Sequence, residues 1–209
     1  VSRIKCRYEF TGRVEQKTCD QEFQCGTCDF HILRKTTPDP VNENEQTTKQ
    51  LYGFEIDPEL KYYRGHTWVR KSSGDVFEVG LSDIAARLLG PIDEVTLPEA
   101  GTKLYAHSEG FTIRKNKVDI RILSPLTGEV VETGDGKEDW LLKIKTEDNP
   151  NLDHLYDGIT ALRWSEEELE VVQGHLGVDK SPFHGKKNLP KDFREADWTT
   201  IWHNIFLDV

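Results

Sequence analysis

Four cysteines, Cys6, Cys19, Cys25 and Cys28, are the whole thiol supply of this 209-residue chain, and all fall in its first 28 residues. Cys25-Gly26-Thr27-Cys28 is a C-x-x-C knuckle, whose spacing lets two thiolates converge on one ion. Cys6 and Cys19 could complete a tetrahedron after a hairpin-like stretch from Tyr8 to Val14, with His31 as a spare ligand. The spacing admits a structural zinc, an iron–sulfur cluster, or free thiols and a disulfide pair. A short charged segment with few large apolar residues builds little core of its own. A metal would supply what burial does not, at about 10–16 kcal/mol apparent for structural zinc. A second chemically suggestive cluster stands mid-chain, where Arg114, Lys115, Asn116 and Lys117 form a charged tip between two apolar runs. Such a tip between paired strands displays its amines to the outside.

Strands must hold that tip. From Gly110 to Val131 the sequence reads GFTIRKNKVDIRILSPLTGEVV. Val118, Ile120 and Ile122 alternate with Asp119 and Arg121, Ser124-Pro125 breaks the run, and Leu126 to Val131 begins a new extended piece. Upstream, Ser82-Asp83 precedes Ile84 to Leu89 as the cap of a short helix, Gly90 stops it, and Pro91 forbids its continuation. Val95 to Pro98 and Lys103 to Tyr105 read as further short strands. Many short strands with Gly/Pro turns predict a mainly β domain, a small sandwich or flattened barrel with short flanking helices.

Residues 1–34 form the cysteine-rich module, and 35–50 a linker, because KTTPDPVNENEQTTK is polar and proline-bearing and cannot repay the entropy of ordering. The main domain spans 51–172, with Leu51 to Leu60 apolar enough to dock onto the strands C-terminal to it. Residues 173–209 form a C-terminal extension. Ser165-Glu166-Glu167-Glu168 looks like a capped helix start, and Gly174 to Pro190 reads as loop. Trp198, Ile201, Trp202, Ile205 and Phe206 then fall at i, i+3, i+4, i+7 and i+8, one face of a helix that docks either on this chain's own body or on a partner.

With 37 acidic against 27 basic side chains, the formal net charge is −10, which repels a phosphate backbone, so nucleic acid is not expected as a partner. No apolar run approaches the roughly 20 residues of a bilayer span, and VSRIKCRYEF lacks a signal-peptide core, so a cytoplasmic protein is expected. No serine, cysteine or carboxylate constellation is placed for turnover, so the chain reads as a non-enzyme. His66 fits a packed strand edge, Trp68 fits the core, and His107 stands near the mouth of the hairpin.

The central segment resembles the glycine cleavage system H proteins of the biotinyl/lipoyl-attachment family. In that family the acceptor lysine lies eight residues before a Ser-Pro or Ala-Pro pair and a Gly-Glu-Val-Val comes after it; counting back from Pro125 lands on Lys117. The likeness extends upstream through Gly65-His66-Thr67-Trp68-Val69, Val79 to Ala85, Leu89-Gly90, Val95, Leu97-Pro98-Glu99 and Gly101, and downstream through Asp139 to Lys145. It covers roughly Leu60 to Leu169. The chain differs in having Arg114 where an acidic residue is usual, Val118-Asp119 where small residues come after the lysine, and a short GDGKED in place of a helical insert that helps cradle the arm.

The resemblance implies a lipoyl-domain-like barrel-sandwich hybrid and lipoate on Lys117. The arm would carry an aminomethyl group from a decarboxylase to a tetrahydrofolate-dependent transferase, and a flavoprotein would reoxidise it. A second reading is a non-lipoylated adaptor scaffolding a multi-subunit assembly. In a third, the cysteines pass electrons to a dithiolane arm.

Overall fold

A computed structural model describes residue 18 and residues 28–30, 50–51, 53–178, 183 and 185–206. The chain divides into two compact units, Val1–Gln46 and Thr47–Val209. In the first, Cys28 is half-buried and joined in no disulfide. Cys6, Cys19, Cys25, His31, the Tyr8 to Val14 stretch and residues 35–49 of the linker lie outside the described residues.

The second unit runs, in chain order, β1 (Gln50–Leu51), β2 (Phe54–Glu55), β3 (Lys61–Tyr62), β4 (Thr67–Ser73), β5 (Val76–Leu81), α1 (Asp83–Leu89), β6 (Glu94–Thr96) and β7 (Lys103–Leu104). Next come β8 (Glu109–Lys115), β9 (Val118–Leu123), β10 (Gly128–Thr133), β11 (Leu142–Lys145), α2 (Gly158–Leu176), α3 (Leu189–Asp192) and α4 (Trp198–Phe206). Among the described residues every strand pair is antiparallel. One sheet has the order β3-β4-β5-β11-β10-β7, a second has β6-β8-β9, and β1 and β2 form a small ribbon. The alternation read in the sequence is the cause: Ile120 and Ile122 of β9 are fully buried while Asp119 and Arg121, which alternate with them, are exposed. Val79, Val130, Leu142 and Ile144 from the larger sheet join Ile113, Ile120 and Ile122 from the smaller in one apolar core. This is the mainly β, lipoyl-domain-like architecture expected.

Two close approaches set the larger sheet. Trp68 of β4 lies opposite Gly80 of β5, and a Cβ at Gly80 would sit 2.3 Å from the indole and 2.6 Å from the carbonyl oxygen of Asp139. Only glycine lets the indole lie flat across the neighbouring strand. Helix α1 is bounded as its sequence dictates: the Ser82 hydroxyl accepts from the Ala85 N–H at 3.1 Å, and Gly90, at φ 62°, closes the last turn with its N–H on the Ala86 carbonyl.

Two expectations are corrected. Helix α2 begins at Gly158 behind Asp157, not at Ser165, and Ser165 is buried mid-helix. Ala161 and Trp164, one turn upstream, are buried with Leu169 and Val172, so packing extends the helix past a cap-like sequence. The helix also runs on to Leu176, into the stretch read as loop. Gly177, left-handed at φ 63°, ends it by donating to Gln173 and Gly174, and Leu189–Asp192 adds a further helical turn.

The C-terminal stripe forms a helix as predicted, and it docks in cis. All five stripe residues are buried. Trp202 donates its indole N–H to the Leu88 carbonyl at 2.9 Å, and Trp198 donates to Phe193 at 2.8 Å. Helix α4 thereby packs beside β9 and α2 in the same core as the sheets. Among the described residues no helix is long and apolar enough to cross a membrane.

Candidate functional site: the β8–β9 hairpin

Lys115 pairs with Val118, which leaves Asn116 and Lys117 as a two-residue loop, with φ of 50° and 67°. Left-handed φ at both loop positions is what a type I′ hairpin turn requires, because its twist matches that of the strands it joins. Asparagine enters this region readily; lysine does so at a cost of about 1–2 kcal/mol.

Contacts around the turn offset that cost. The Asn116 N–H donates to the Asp93 carboxylate at 2.7 Å, and the Asp93 N–H donates to the Arg114 carbonyl at 3.0 Å. The Lys115 ammonium is buried and donates to the Pro91 carbonyl. Arg114 reaches Asp119 at 2.7 Å and Glu94 at 3.2 Å, and its guanidinium holds the Asp119 carboxyl below the usual carboxylate range. Lys117 remains: its side chain is exposed and makes no ion pair or hydrogen bond among the described residues.

The tip therefore does not display all of its amines to the outside, as its charged sequence suggested. Arg114 is neutralised by two carboxylates and Lys115 is turned inward. An unpaired amine on a rigid two-residue loop fits an amide-linked prosthetic arm, because nothing must be broken or moved to acylate it.

The histidines sit elsewhere. His66 is fully buried against Trp164 and Phe206, its ring nitrogens without hydrogen-bond partners and its Nε2 3.7 Å from a Glu168 carboxylate oxygen. Trp68 is in the core, as expected. His107 lies at the open end of the hairpin, away from the tip, with its backbone N–H on the Ser124 carbonyl at 2.9 Å. Asp93, which clamps the turn, and Tyr63 and His154, which meet His107, carry no sequence signal, because their partners lie 23 to 47 positions away. Between β10 and β11 the chain forms bends with no helix, and Asp139 there is paired in bidentate fashion with Arg70 at 3.0 Å. Among the described residues no three His, Cys, Asp or Glu side chains converge as metal ligands.

An antiparallel β body with Lys117 raised on a tight hairpin has the architecture of a lipoyl-domain-like protein. Residues 60–168, just over half the chain, match the family described as Glycine cleavage H-protein. The chain belongs to that family. It is 35% identical over 118 residues to the glycine cleavage system H protein of Idiomarina loihiensis, spanning 50% of this chain and 92% of that protein. Its identity to the H protein of Clostridioides difficile is 34% over 110 residues, spanning 47% and 88%. A crystal structure of the H protein from Mycobacterium marinum superimposes with a TM-score of 0.43 at 20% identity, over 54% of this chain and 98% of that one.

Proposed function

We propose that this chain is a lipoyl carrier of the glycine cleavage type, with the arm held in amide linkage by Lys117. The observation that carries the reading is the exposed Lys117 amine, without a partner among the described residues, on a clamped turn inside the segment that matches the family. When bound, lipoate supplies a dithiolane on a long flexible tether that can visit several active sites in turn. The protein's own part is mechanical. Asn116 and Lys117 turn the amine outward, Asp93 fixes the turn, and Lys115 is withheld, so one amine is offered. The chain contributes no active site of its own to this role.

The partners under this reading are the P, T and L proteins of the glycine cleavage system. Reconstitution with those three proteins tests it. The modified chain should support glycine-dependent release of carbon dioxide, Lys115→Met should retain it, and Lys117→Arg should abolish it. Retained activity in Lys117→Arg would remove the assignment.

A non-lipoylated adaptor role is favoured by one observation, the bends between β10 and β11 that put no helix beside an arm. For the cysteine module, ligand spacing alone supports a structural zinc on Cys6, Cys19, Cys25 and Cys28. Metal analysis of anaerobically purified protein tests it, and freely titrating thiols with neither zinc nor iron bound would remove the site.

A further inference from the structure

Three strands run side by side beneath the Lys117 turn, and their outward side chains form one charged row. Glu94 of β6 is opposite Arg114 of β8, and Arg114 is opposite Asp119 of β9, so the three share a face. The guanidinium binds Asp119 through two nitrogens, at 2.7 and 3.2 Å, and Glu94 through a third, at 3.2 Å. All three side chains are nevertheless more than half exposed. A carboxylate has about four acceptor positions, so both acids keep some for a further donor.

The segment before β6 extends this face to the turn itself. Asp93 is exposed and clamps Asn116, and the Pro91 carbonyl holds Lys115 inward. Between them, Ile92 is 38% exposed, one of three large apolar side chains left exposed among the described residues. An apolar side chain beside a charged row is the composition of an interface, an anchor with a polar rim. Asp93, Glu94 and Asp119 set three carboxylates against the one guanidinium of Arg114, and Arg121 stands one row further from the turn. The surface is acidic where it borders Lys117.

Chemistry selects what covers it. Enzymes that act on a lipoyl group meet the far end of a long tether, whereas the enzyme that attaches it must take the Lys117 nitrogen into its own active site. There the amine attacks the carbonyl carbon of an activated lipoyl group, an acyl phosphate anhydride. The C–N bond forms, the bond from that carbon to the phosphate oxygen breaks, the phosphate leaves, and the amine's proton passes to solvent, with no change of oxidation state. Residues flanking the turn must touch that enzyme.

We propose that Ile92, Asp93 and the row of Glu94, Arg114 and Asp119 are the docking surface for the lipoyl-attaching enzyme, a protein whose active-site mouth carries cations around an apolar patch. The inference rests on Lys117 being the lipoylated residue and adds what selects this hairpin. Opposite charge guides the approach, and Ile92 fixes the seating.

Initial rates of lipoylation of the full chain by an ATP-dependent lipoate–protein ligase, read by intact mass at varied chain concentration, test this. Glu94→Lys and Ile92→Asn should each raise KM about fivefold or more with kcat near the parent value. Glu99→Lys, the same charge change beyond the end of β6, should leave KM unchanged. Raising salt from about 0.05 M to about 0.3 M should increase KM more for the parent than for Glu94→Lys. Acylation of Glu94→Lys and Ile92→Asn with the parent KM would overturn this inference alone, and so would an equal rise in Glu99→Lys. No acylation of the parent, with a separate lipoyl domain modified in the same reaction, would overturn the Lys117 assignment as well. Normal lipoylation of the variants with a raised KM of the P, T or L protein for the modified chain would give the surface to those enzymes and contradict the proposal.

Discussion

Lys117 is conspicuous for what it lacks, while its neighbours are all engaged. Lys115, two positions before it, is tied inward, and Arg114 faces two carboxylates. Asp93 is the residue on which the turn depends, since it accepts the N–H of Asn116. Asp93→Ala should therefore speed amide hydrogen exchange at Asn116 several-fold while lowering global stability by no more than about 1 kcal/mol, the worth of one exposed hydrogen bond. Unchanged exchange at Asn116 would show that the turn holds itself.

His107 gives a pH prediction with a definite sign. Its folded pKa lies below the ordinary 6.5, chiefly through burial, so between the two values the unfolded chain binds more protons. Stability should be greatest above about pH 6.5 and fall as the pH drops from there through the folded value. His175, also pushed down by burial, acts in the same direction. Urea midpoints at about pH 7.5 and about pH 5.5 should differ less in His107→Asn than in the parent chain, and equal differences would contradict the assignment.

The hairpin that carries Lys117 was legible in the sequence. Asp93, Tyr63 and His154 were not, because a contact made across the fold leaves no local pattern.

At the scale of elements, local chemistry was readable wherever it alone decides the structure. Ser82 and Gly90 bound α1 because a hydroxyl cap and a left-handed glycine satisfy backbone groups without help from elsewhere. The apolar alternation of β9 is equally self-sufficient. Helix α2 shows the limit: Ser165 with Glu168 has the form of a capping pair, but burial of Ala161 and Trp164 carries the helix seven residues further toward the N-terminus. Gly80 is another element-scale constraint that sequence could not reveal, since its need arises from Trp68 on the facing strand. Gly80→Ala should destabilise by about 1–3 kcal/mol, because a methyl there meets both the indole and the backbone of Asp139. A denaturation midpoint within error of the parent would show that β4 and β5 can separate without cost.

For the whole second unit, the sheets and the C-terminal helix are parts of one body. Helix α4 lies beyond the family-matching residues 60–168, yet Trp202 is buried and hydrogen-bonded to the end of α1. Trp202→Ala should cost about 3–5 kcal/mol in denaturant unfolding, since it opens a cavity and removes the donor to Leu88. A loss below about 1 kcal/mol would mean that the helix is peripheral to folding. The five-residue stripe was visible in the sequence, but its docking surface was not, because an apolar face specifies burial and not the surface that buries it.

The account as a whole turns on one amine. Intact mass of the protein isolated from cells able to lipoylate, followed by peptide mapping, measures this directly. A single lipoyl increment confined to the peptide bearing Lys117 is the predicted result. An unmodified mass, or an increment on any other lysine, would contradict it.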